Sequence, residues 1–365
     1  MTRLLYMVSH PIQYQAPLLR RIAAEPGIQL RVVFEAVDSV GGYFDVGFGT
    51  EVKWDVPLRG GYDSVCLDDT CLTKEIAASD VVWLHGWASG ALLKALGIAR
   101  AKGKPVLMRG ENWDGAMPEQ PGLKGWLRRR FHGWVFARCA GFLAIGSKNR
   151  DYYVARGVPP RSVFSVPYAV DNTFFASRAT PSEMAALRQQ LALPPDRQVV
   201  LYCGKFMRRK RPDLLMRAWQ HLPEPRPVLL MVGDGEMRDE LAAMAGDGVV
   251  FAGFRNQTQL PGLYALADVF VLPSEREPWG LAVNEAMACG TAVVVSDQVG
   301  SAFDLVDEST GAVFPAGDQD ALTHALARVL ADGAKRGANA QASMADWDFE
   351  ADLRGLKEAL AHVAG

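Results

Sequence analysis

The chain has 365 residues, 49% of them apolar and 22% charged, with a formal net charge of -2. At roughly 150 residues per domain this length favours two domains, each able to bury a core. The nearly balanced charge argues against a general nucleic-acid binder, so partners must be argued from local charge.

Five cysteines, Cys66, Cys71, Cys139, Cys203 and Cys289, are scattered, and none has metal-ligand spacing. They read as buried thiols in a reducing cytoplasm. The opening Met1-Thr-Arg-Leu-Leu-Tyr-Met-Val-Ser is too short and too polar afterwards for a signal peptide and reads as a first strand. No run reaches the ~18 apolar residues of a membrane-spanning helix.

Short aliphatic runs alternate with helical patterns, as parallel βαβ units require. In the first half the strands read as Leu4–Val8, Leu30–Phe34, Val81–Leu84, Val106–Met108, Gly141–Ile145 and Val163–Val166. Residues 36 to 79, with Gly41-Gly42 and Gly60-Gly61, read as an irregular loop with short strands. The second half gives Val199–Cys203, Val228–Val232, Val249–Phe251, Val269–Leu272, Ala292–Ser296 and Ala312–Phe314. Asp318 is placed to cap the helix whose stripe is Leu322, Ala325, Leu326 and Val329. A boundary falls near residues 171 to 197, where Thr180-Pro-Ser-Glu183 forms a capping-box pattern. The expected fold is α/β, with two Rossmann-like, doubly wound parallel sheets facing across a cleft: residues 1–172, residues 173–345, and a C-terminal helix in 346–365 crossing back to the first domain. Open sheets of this kind bind ligands at the carboxyl ends of their strands.

Two segments carry chemistry. In Leu272-Pro-Ser-Glu-Arg-Glu277-Pro-Trp-Gly280-Leu-Ala-Val-Asn-Glu285, a strand runs through a turn into a helix, with carboxylates eight residues apart. Amides of the first helical turn, near Gly280 and Leu281, have no partners within the helix and suit an anion. The plain alternative is a surface loop followed by a solvated glutamate. In Gly204-Lys205-Phe-Met-Arg-Arg-Lys210-Arg-Pro212, five basic residues crowd the connection after a strand. Without a metal, fixed cations and helix amides would have to hold a diphosphate. The plain alternative here is a solvated basic loop.

Together with Val232-Gly233-Asp-Gly-Glu236, Val250-Phe-Ala-Gly-Phe254 and Tyr264…Asp268, these segments make the chain from about residue 199 to 316 resemble the retaining GT-B glycosyltransferases of family four, the group 1 glycosyl transferases. The resemblance implies a donor site for a nucleotide-diphosphate sugar. Gly204, Lys205, Lys210 and Gly233 would lie at the diphosphate, and Phe254 and Arg255 at the nucleobase. Glu277 and the Gly280–Leu281 amides would meet the sugar and phosphate, and Glu285 the ribose diol. It further implies retention at the anomeric carbon, with Lys205, Lys210 and Glu277 in catalytic roles and neither metal nor cofactor. Two departures stand out: Lys205 where the family usually has Arg, and Trp279 for the commoner Phe.

The first half resembles the family more loosely. Ser9-His10-Pro-Ile-Gln13-Tyr14 replaces the family's glycine pair, and Tyr168-Ala169 its Asn-Gly. His10 and Gln13 either touch acceptor or phosphate, or His10 packs locally. Glu111, in Arg109-Gly-Glu-Asn, takes the place of a family histidine. It either orients or deprotonates the acceptor hydroxyl, or pairs with Arg109. His85 ends a strand and is a further acceptor-side candidate. Residues 121–150 hold seven basic residues and no acid until Asp151, with Trp126, Phe131, Trp134 and Phe136 interleaved. They suit either peripheral contact with an anionic membrane or the phosphates of a lipid-linked acceptor, against the plain reading of a packed helix with a solvated face.

The expected function is sugar transfer to a glycan or lipid-linked acceptor in polysaccharide or lipopolysaccharide assembly, by a cytoplasmic protein that contacts the inner face of the membrane peripherally. The alternatives are a GT-B sugar-nucleotide epimerase and a non-catalytic nucleotide- or lipid-binding subunit.

Overall fold

The computed structural model describes residues 1–117 and 122–364. In chain order the strands are β1 (Thr2–Val8), β2 (Ile28–Phe34), β3 (Tyr43–Asp45), β4 (Thr50–Val52), β5 (Asp63–Cys66), β6 (Val81–His85), β7 (Val106–Arg109), β8 (Gly141–Ala144) and β9 (Val163–Ser165). There follow β10 (Val199–Cys203), β11 (Val228–Val232), β12 (Val249–Gly253), β13 (Val269–Leu272), β14 (Ala292–Ser296) and β15 (Gly311–Phe314).

The chain divides into two compact units. The first holds Met1–Tyr43, Val56–Tyr168 and Phe349–Gly365; the second holds Phe44–Asp55 and Ala169–Asp348. The segment Phe44–Asp55 thus lies in the second unit, although the sequence puts it in the middle of the first half.

Unit 1 is built on a seven-stranded sheet in the order β5-β2-β1-β6-β7-β8-β9. All its pairs are parallel. Unit 2 has a six-stranded sheet in the order β12-β11-β10-β13-β14-β15, also parallel throughout. Both sheets grow outward in one direction and then reverse, at β1/β6 in unit 1 and at β10/β13 in unit 2. Each reversal opens a crevice at the strands' carboxyl ends, the place where doubly wound sheets take ligands.

The aliphatic runs form strands because both faces of each sheet are covered. Leu5 and Met7 of β1 join one buried cluster, while Leu4, Tyr6 and Val8 join the other, following the two-residue period of a strand. In unit 2, Val200, Tyr202, Leu229, Met231, Val269 and Val271 pack with the helical stripe Leu322, Ala325, Leu326 and Val329. Asp318 caps that helix on the amide of Ala321 at 2.9 Å. Thr180 and Glu183 form the reciprocal capping box, with Pro181 in the first helical turn. Residues 36 to 79, read as an irregular loop with short strands, do hold the short strands β3, β4 and β5, the last an edge strand in register with β2, but they also hold the helix Leu72–Ala78, which the sequence reading lacks.

The last helix, Phe349–Ala364, belongs to unit 1, packs on β8 and β9, and adds Leu353, Leu356, Ala359 and Leu360 to the core on that face of the sheet. Its Asp352 is fully buried and stands 3.0 Å from the guanidinium of Arg109, which is itself 2% exposed at the end of β7. Burial pushes the Asp352 carboxyl upward, against the pull of Arg109. Removing one member of such a pair strands the other charge in the core. Asp352→Ala should therefore cost about 3–5 kcal/mol in urea unfolding. A loss no larger than that of an exposed pair would show that Arg109 is solvated or neutralised by other means.

Candidate active site

The crevice of unit 2 is lined from the ends of β10, β11 and β13. β10 is followed by Gly204 and Lys205, and a short 3-10 turn, Arg208–Lys210, leads into the helix Pro212–Gln220. The five basic residues of this connection do not form one solvated patch. Arg208 pairs with Glu240 at 3.2 Å, and Arg211 with Asp213 and Glu275. Arg209 bonds the carbonyl of Arg276 at 3.0 Å and stands 3.8 Å from Glu277. Lys210 binds the Glu277 carboxylate directly.

Glu277 is held from both sides. Its amide donates to Gln298 O at 3.0 Å, its carbonyl accepts from Gly300 at 3.1 Å, and it forms a parallel bridge with Val299. The turn then reaches Gly280, which begins the helix Leu281–Ala288 with φ of 94°. A Cβ there would lie 2.9 Å from Leu272 Cδ2 and 3.0 Å from Val299 Cγ1, so both the dihedral and the space require glycine. Close contact also fixes Gly233 at the end of β11, where a Cβ would lie 1.9 Å from the carbonyl oxygen of Gly204.

Glu285 is one turn into the Leu281–Ala288 helix. It accepts from Tyr264 Oη at 2.7 Å, and burial pushes its carboxyl from the ordinary 4.5 up to about 7. The Cys203 thiol, raised to about 12 by burial, lies in the same surroundings. Trp279, one of the two departures, is turned away from the opening: it is buried, donates to Asn284 Oδ1 at 2.8 Å and stacks on Trp347. It therefore shapes the turn from behind.

Lys205, the other departure, is paired with Asp45, at 2.8 and 2.9 Å from the two carboxylate oxygens. Burial raises the Asp45 carboxyl, but the Lys205 ammonium and the amides of Phe48 and Gly47 outweigh it and hold it below its usual range. Phe254, just after β12, packs edge-on against Phe48 at 4.9 Å and near Trp54 at 6.4 Å between ring centres. Arg255 is half-buried, and its Nε has no hydrogen-bond partner among the described residues.

In unit 1, β1, β6 and β7 converge at a buried polar cluster. His85, the last residue of β6, lies with Nδ1 2.8 Å from Tyr6 Oη and Nε2 3.3 Å from Tyr168 Oη. Tyr6 donates to Gln15 Oε1 at 2.8 Å, so its oxygen is free to accept from His85. Glu111 accepts from Tyr168 and, at 3.4 Å, from Tyr14, and stands 3.6 Å from His85 Nε2. Burial pushes Glu111 up, but His85, Tyr168 and the positive Arg109 prevail, leaving it below the ordinary carboxyl value. The tyrosines around it are all raised by burial and stay neutral.

Two sequence expectations for this half are corrected or narrowed. Arg109 does not pair with Glu111: its salt bridge is to Asp352, it donates to Val166 O at 3.1 Å, and Tyr168 covers its face at 4.6 Å. This leaves Glu111 for the tyrosines. His10 is exposed and bonds its neighbour Ser9 at 2.9 Å, which is the local role. Gln13 is half-buried outside the cluster, and Gln15 joins it instead. Tyr6, Tyr14, Gln15 and Tyr168 were missed because residues that meet only through the topology carry no spacing signal. Tyr168 alone left a trace, as a departure from the family's Asn-Gly. Of the basic stretch, Pro121 lies outside the described residues. The helix Gly122–Phe136 buries Val135 and Phe136 and leaves Leu123, Trp126, Leu127, Phe131 and Trp134 exposed. The thiols are all free, and Cys71 is exposed, contrary to the expectation that all are buried.

Two parallel Rossmann-like units, each with its polar cluster at the strand reversal, define a GT-B α/β fold. Solved structures share it. The chain superposes on the Anabaena HepE protein in complex with UDP with a TM-score of 0.77, at 19% identity, over 99% of this chain and all of that one. For sucrose-phosphate synthase from Thermosynechococcus elongatus the TM-score is 0.73 at 22% identity, over 100% of this chain and 99% of that one. Residues 183–344 match the family described as glycosyl transferases group 1, and residues 75–169 the glycosyl transferase 4-like domain. These matches support kinship with the group 1 glycosyltransferases. D-inositol 3-phosphate glycosyltransferase 1 of Catenulispora acidiphila is 30% identical over 278 residues, covering 70% of this chain and 65% of that protein. The D-inositol 3-phosphate glycosyltransferase of Mycobacteroides abscessus is 32% identical over 184 residues, 47% of this chain and 42% of that protein. The lipopolysaccharide core biosynthesis glycosyltransferase LpsE of Rhizobium meliloti is 35% identical over 158 residues, 42% and 45%. The chain spans about half the length of the curated relatives it matches.

The raised Glu285 carboxyl has a consequence for stability. The folded state holds a proton there that the unfolded state has released between about pH 4.5 and 7, so stability falls as pH rises through that window. Glu285→Gln keeps an acceptor for Tyr264 and removes the titration. The variant should match the original near about pH 4 and exceed it by up to about 3 kcal/mol near about pH 8, in urea unfolding at each pH. A difference that does not change with pH would show that Glu285 is hydrated.

Proposed function

We propose that the chain transfers a sugar from a nucleotide-diphosphate donor to a hydroxyl of a glycan or lipid-linked acceptor, in polysaccharide or lipopolysaccharide assembly. The observation that carries this reading is the convergence, at the strand reversal of unit 2, of Lys210 on Glu277 beside the glycine-started helix that bears Glu285. Such a set offers fixed positive charge and helix amides for a diphosphate, and carboxylates for hydroxyl groups. The curated relatives are named as glycosyltransferases of inositol phosphate and lipopolysaccharide core, which supports the same class.

The roles follow from chemistry. Lys205, Lys210 and the amides at Gly280 and Leu281 bind the diphosphate near Gly204 and Gly233. Glu277, released from Lys210 by the incoming phosphate, accepts from sugar hydroxyls. Glu285 accepts from the ribose diol in its carboxylate form, and Phe254 with Arg255 borders the base. As the bond from the anomeric carbon to the phosphate oxygen breaks, its electron pair stays on the diphosphate, where Lys205 and Lys210 stabilise the growing charge. The acceptor oxygen attacks the same face and its proton passes to the leaving phosphate oxygen, so configuration is retained. Because these cations are part of the chain, transfer proceeds without a metal. Glu111, ionised and steadied by Tyr14, Tyr168 and His85, orients the acceptor hydroxyl.

The test is thermal stabilisation by a panel of nucleotide sugars, followed by acceptor-dependent release of nucleoside diphosphate. Lys210→Ala and Glu285→Ala should each abolish stabilisation in a folded protein. Glu111→Gln should keep donor binding and lower turnover about 10²-fold or more, as expected for a lost acid–base or orienting group. Stabilisation by no nucleotide sugar would sink the proposal, and acceptor-free conversion of the donor would favour an epimerase.

The acceptor is taken at an anionic membrane surface. The helix Gly122–Phe136 exposes Leu123, Trp126, Leu127, Phe131 and Trp134 alongside Lys124, Arg129 and Arg130, with no acid on it. Arg130 lies over the Trp126 ring, and Arg138, just beyond the helix, over Trp134 at 4.0 Å. Apolar rings among cations suit the boundary between headgroups and acyl chains. No helix among the described residues is long and apolar enough to cross a membrane. The chain should co-sediment with vesicles containing phosphatidylglycerol and not with neutral phosphatidylcholine, and Trp126→Ser with Trp134→Ser should lose this binding. Equal binding to both vesicles, or none, would remove the membrane from the account.

A further inference from the structure

The segment Phe44–Asp55 leaves the first half of the chain to lie on unit 2, and it spans the donor side of the crevice. At one end, Asp45 grips the Lys205 ammonium with both carboxylate oxygens, at 2.8 and 2.9 Å. Oδ1 also accepts from the amides of Gly47 at 2.8 Å and Phe48 at 3.1 Å. The Lys205 ammonium stands over the Phe48 ring at 4.9 Å. The fit is close: a Cβ on Gly47 would lie 2.6 Å from Lys205 Cδ, and one on Gly235 would lie 2.8 Å from the Gly47 carbonyl oxygen. This tip therefore sits on the ends of both β10 and β11. At the other end Phe48 and Trp54 pack on Phe254. Asn256 donates to Lys53 O at 2.6 Å, and Thr258 donates to Asp55.

A carboxylate with 10% side-chain exposure, paired to the one ammonium at the end of β10, is an anion already in place. Two anions cannot both neutralise one lysine at close range without repelling each other. We propose that Asp45 is an internal counter-anion that holds the diphosphate position of unit 2 self-occupied, and that a nucleoside diphosphate binds Lys205 by displacing it. The inference rests on the donor-site reading of the preceding subsection. The aromatic end, anchored on Phe254, keeps the segment on unit 2 while the Asp45 end lets go. Nucleotide affinity is thereby set by a competition within the chain, which admits ligands rich enough in negative charge to win it and disfavours a monophosphate.

The experiment is calorimetric titration of UDP, GDP and UMP into the full chain and into Asp45→Asn, Lys205→Met, the double variant and Lys210→Ala. The asparagine keeps an acceptor for the Gly47 and Phe48 amides, so the turn is retained. Asp45→Asn should bind whichever diphosphate the original chain binds about five- to tenfold more tightly, as loss of a competing ion pair of this exposure predicts. It should gain relatively more for UMP. In the Lys205→Met background the same change should have no effect. Unchanged or weaker binding by Asp45→Asn, with binding still lost in Lys210→Ala, would overturn the competition and leave the donor site standing. Binding of no nucleotide by any variant would overturn the donor site and this inference together.

Discussion

Unit 1 is organised around a guanidinium that has nowhere to be solvated. Arg109 is 2% exposed at the end of the interior strand β7, so its charge has to be answered where it stands. Desolvation of an ion costs several kcal/mol, and only a close partner with further hydrogen bonds offsets it. Asp352 supplies the charge, Val166 a carbonyl, and Tyr168 a ring face. Each of these fixes something else. Asp352 sets the seat of the last helix, Val166 the exit from β9, and Tyr168 the ring whose hydroxyl meets Glu111. Because the arginine is satisfied from below, Glu111 is left turned toward its tyrosines.

Unit 2 handles charge differently. Its cations are numerous and lie in a connection, where they would be mobile if left to water. Most are tied to carboxylates of neighbouring turns, and their positions follow from those partners. Lys210 is held by Glu277, Lys205 by Asp45, and Arg211 by Asp213 and Glu275. The backbone beneath them is equally constrained, since Gly233 and Gly280 lie where side chains would collide with the Gly204 carbonyl or with Leu272 and Val299. An arrangement of this kind exchanges partners readily and reorganises little, which is the form electrostatic stabilisation takes in a preorganised site.

What could be read from the sequence divides along physical lines. The strands of unit 2 are buried on both faces, so their Val- and Leu-rich runs stand out, and Val199–Cys203, Val228–Val232 and Val269–Leu272 were placed to the residue. The caps at Thr180 and Asp318 are local chemistry and were equally legible. The turn from Glu277 to Glu285 was found because one short stretch carries all of it. The tyrosine cluster of unit 1 was not, since Tyr6, Gln15, His85, Glu111 and Tyr168 sit on separate elements that only the sheet order brings together. Of the two readings of Glu111, the pairing with Arg109 fails for the same reason: Glu111 is near in sequence, whereas Asp352 is near in space. Edge strand β5 was legible only as one of several unplaced short strands because, unlike the central strands, it is only partly covered. The placement of Phe44–Asp55 on unit 2 has no local signature at all.

The route of the chain also bears on how it comes to be made. Unit 1 takes in the chain both before and after unit 2, and the whole of the second sheet is synthesised between Arg109 and its counter-ion. A ribosome working from the amino end presents the first sheet with a cation at its heart and no anion to meet it. Until the helix Phe349–Ala364 emerges, that sheet has an open groove along β8 and β9 where Leu353, Leu356 and Leu360 will lie. Unit 2 can close earlier, drawing on Phe44–Asp55, which has long since left the tunnel. The second half is thus positioned to mature before the first, and the newborn first half is the part that needs shielding from aggregation.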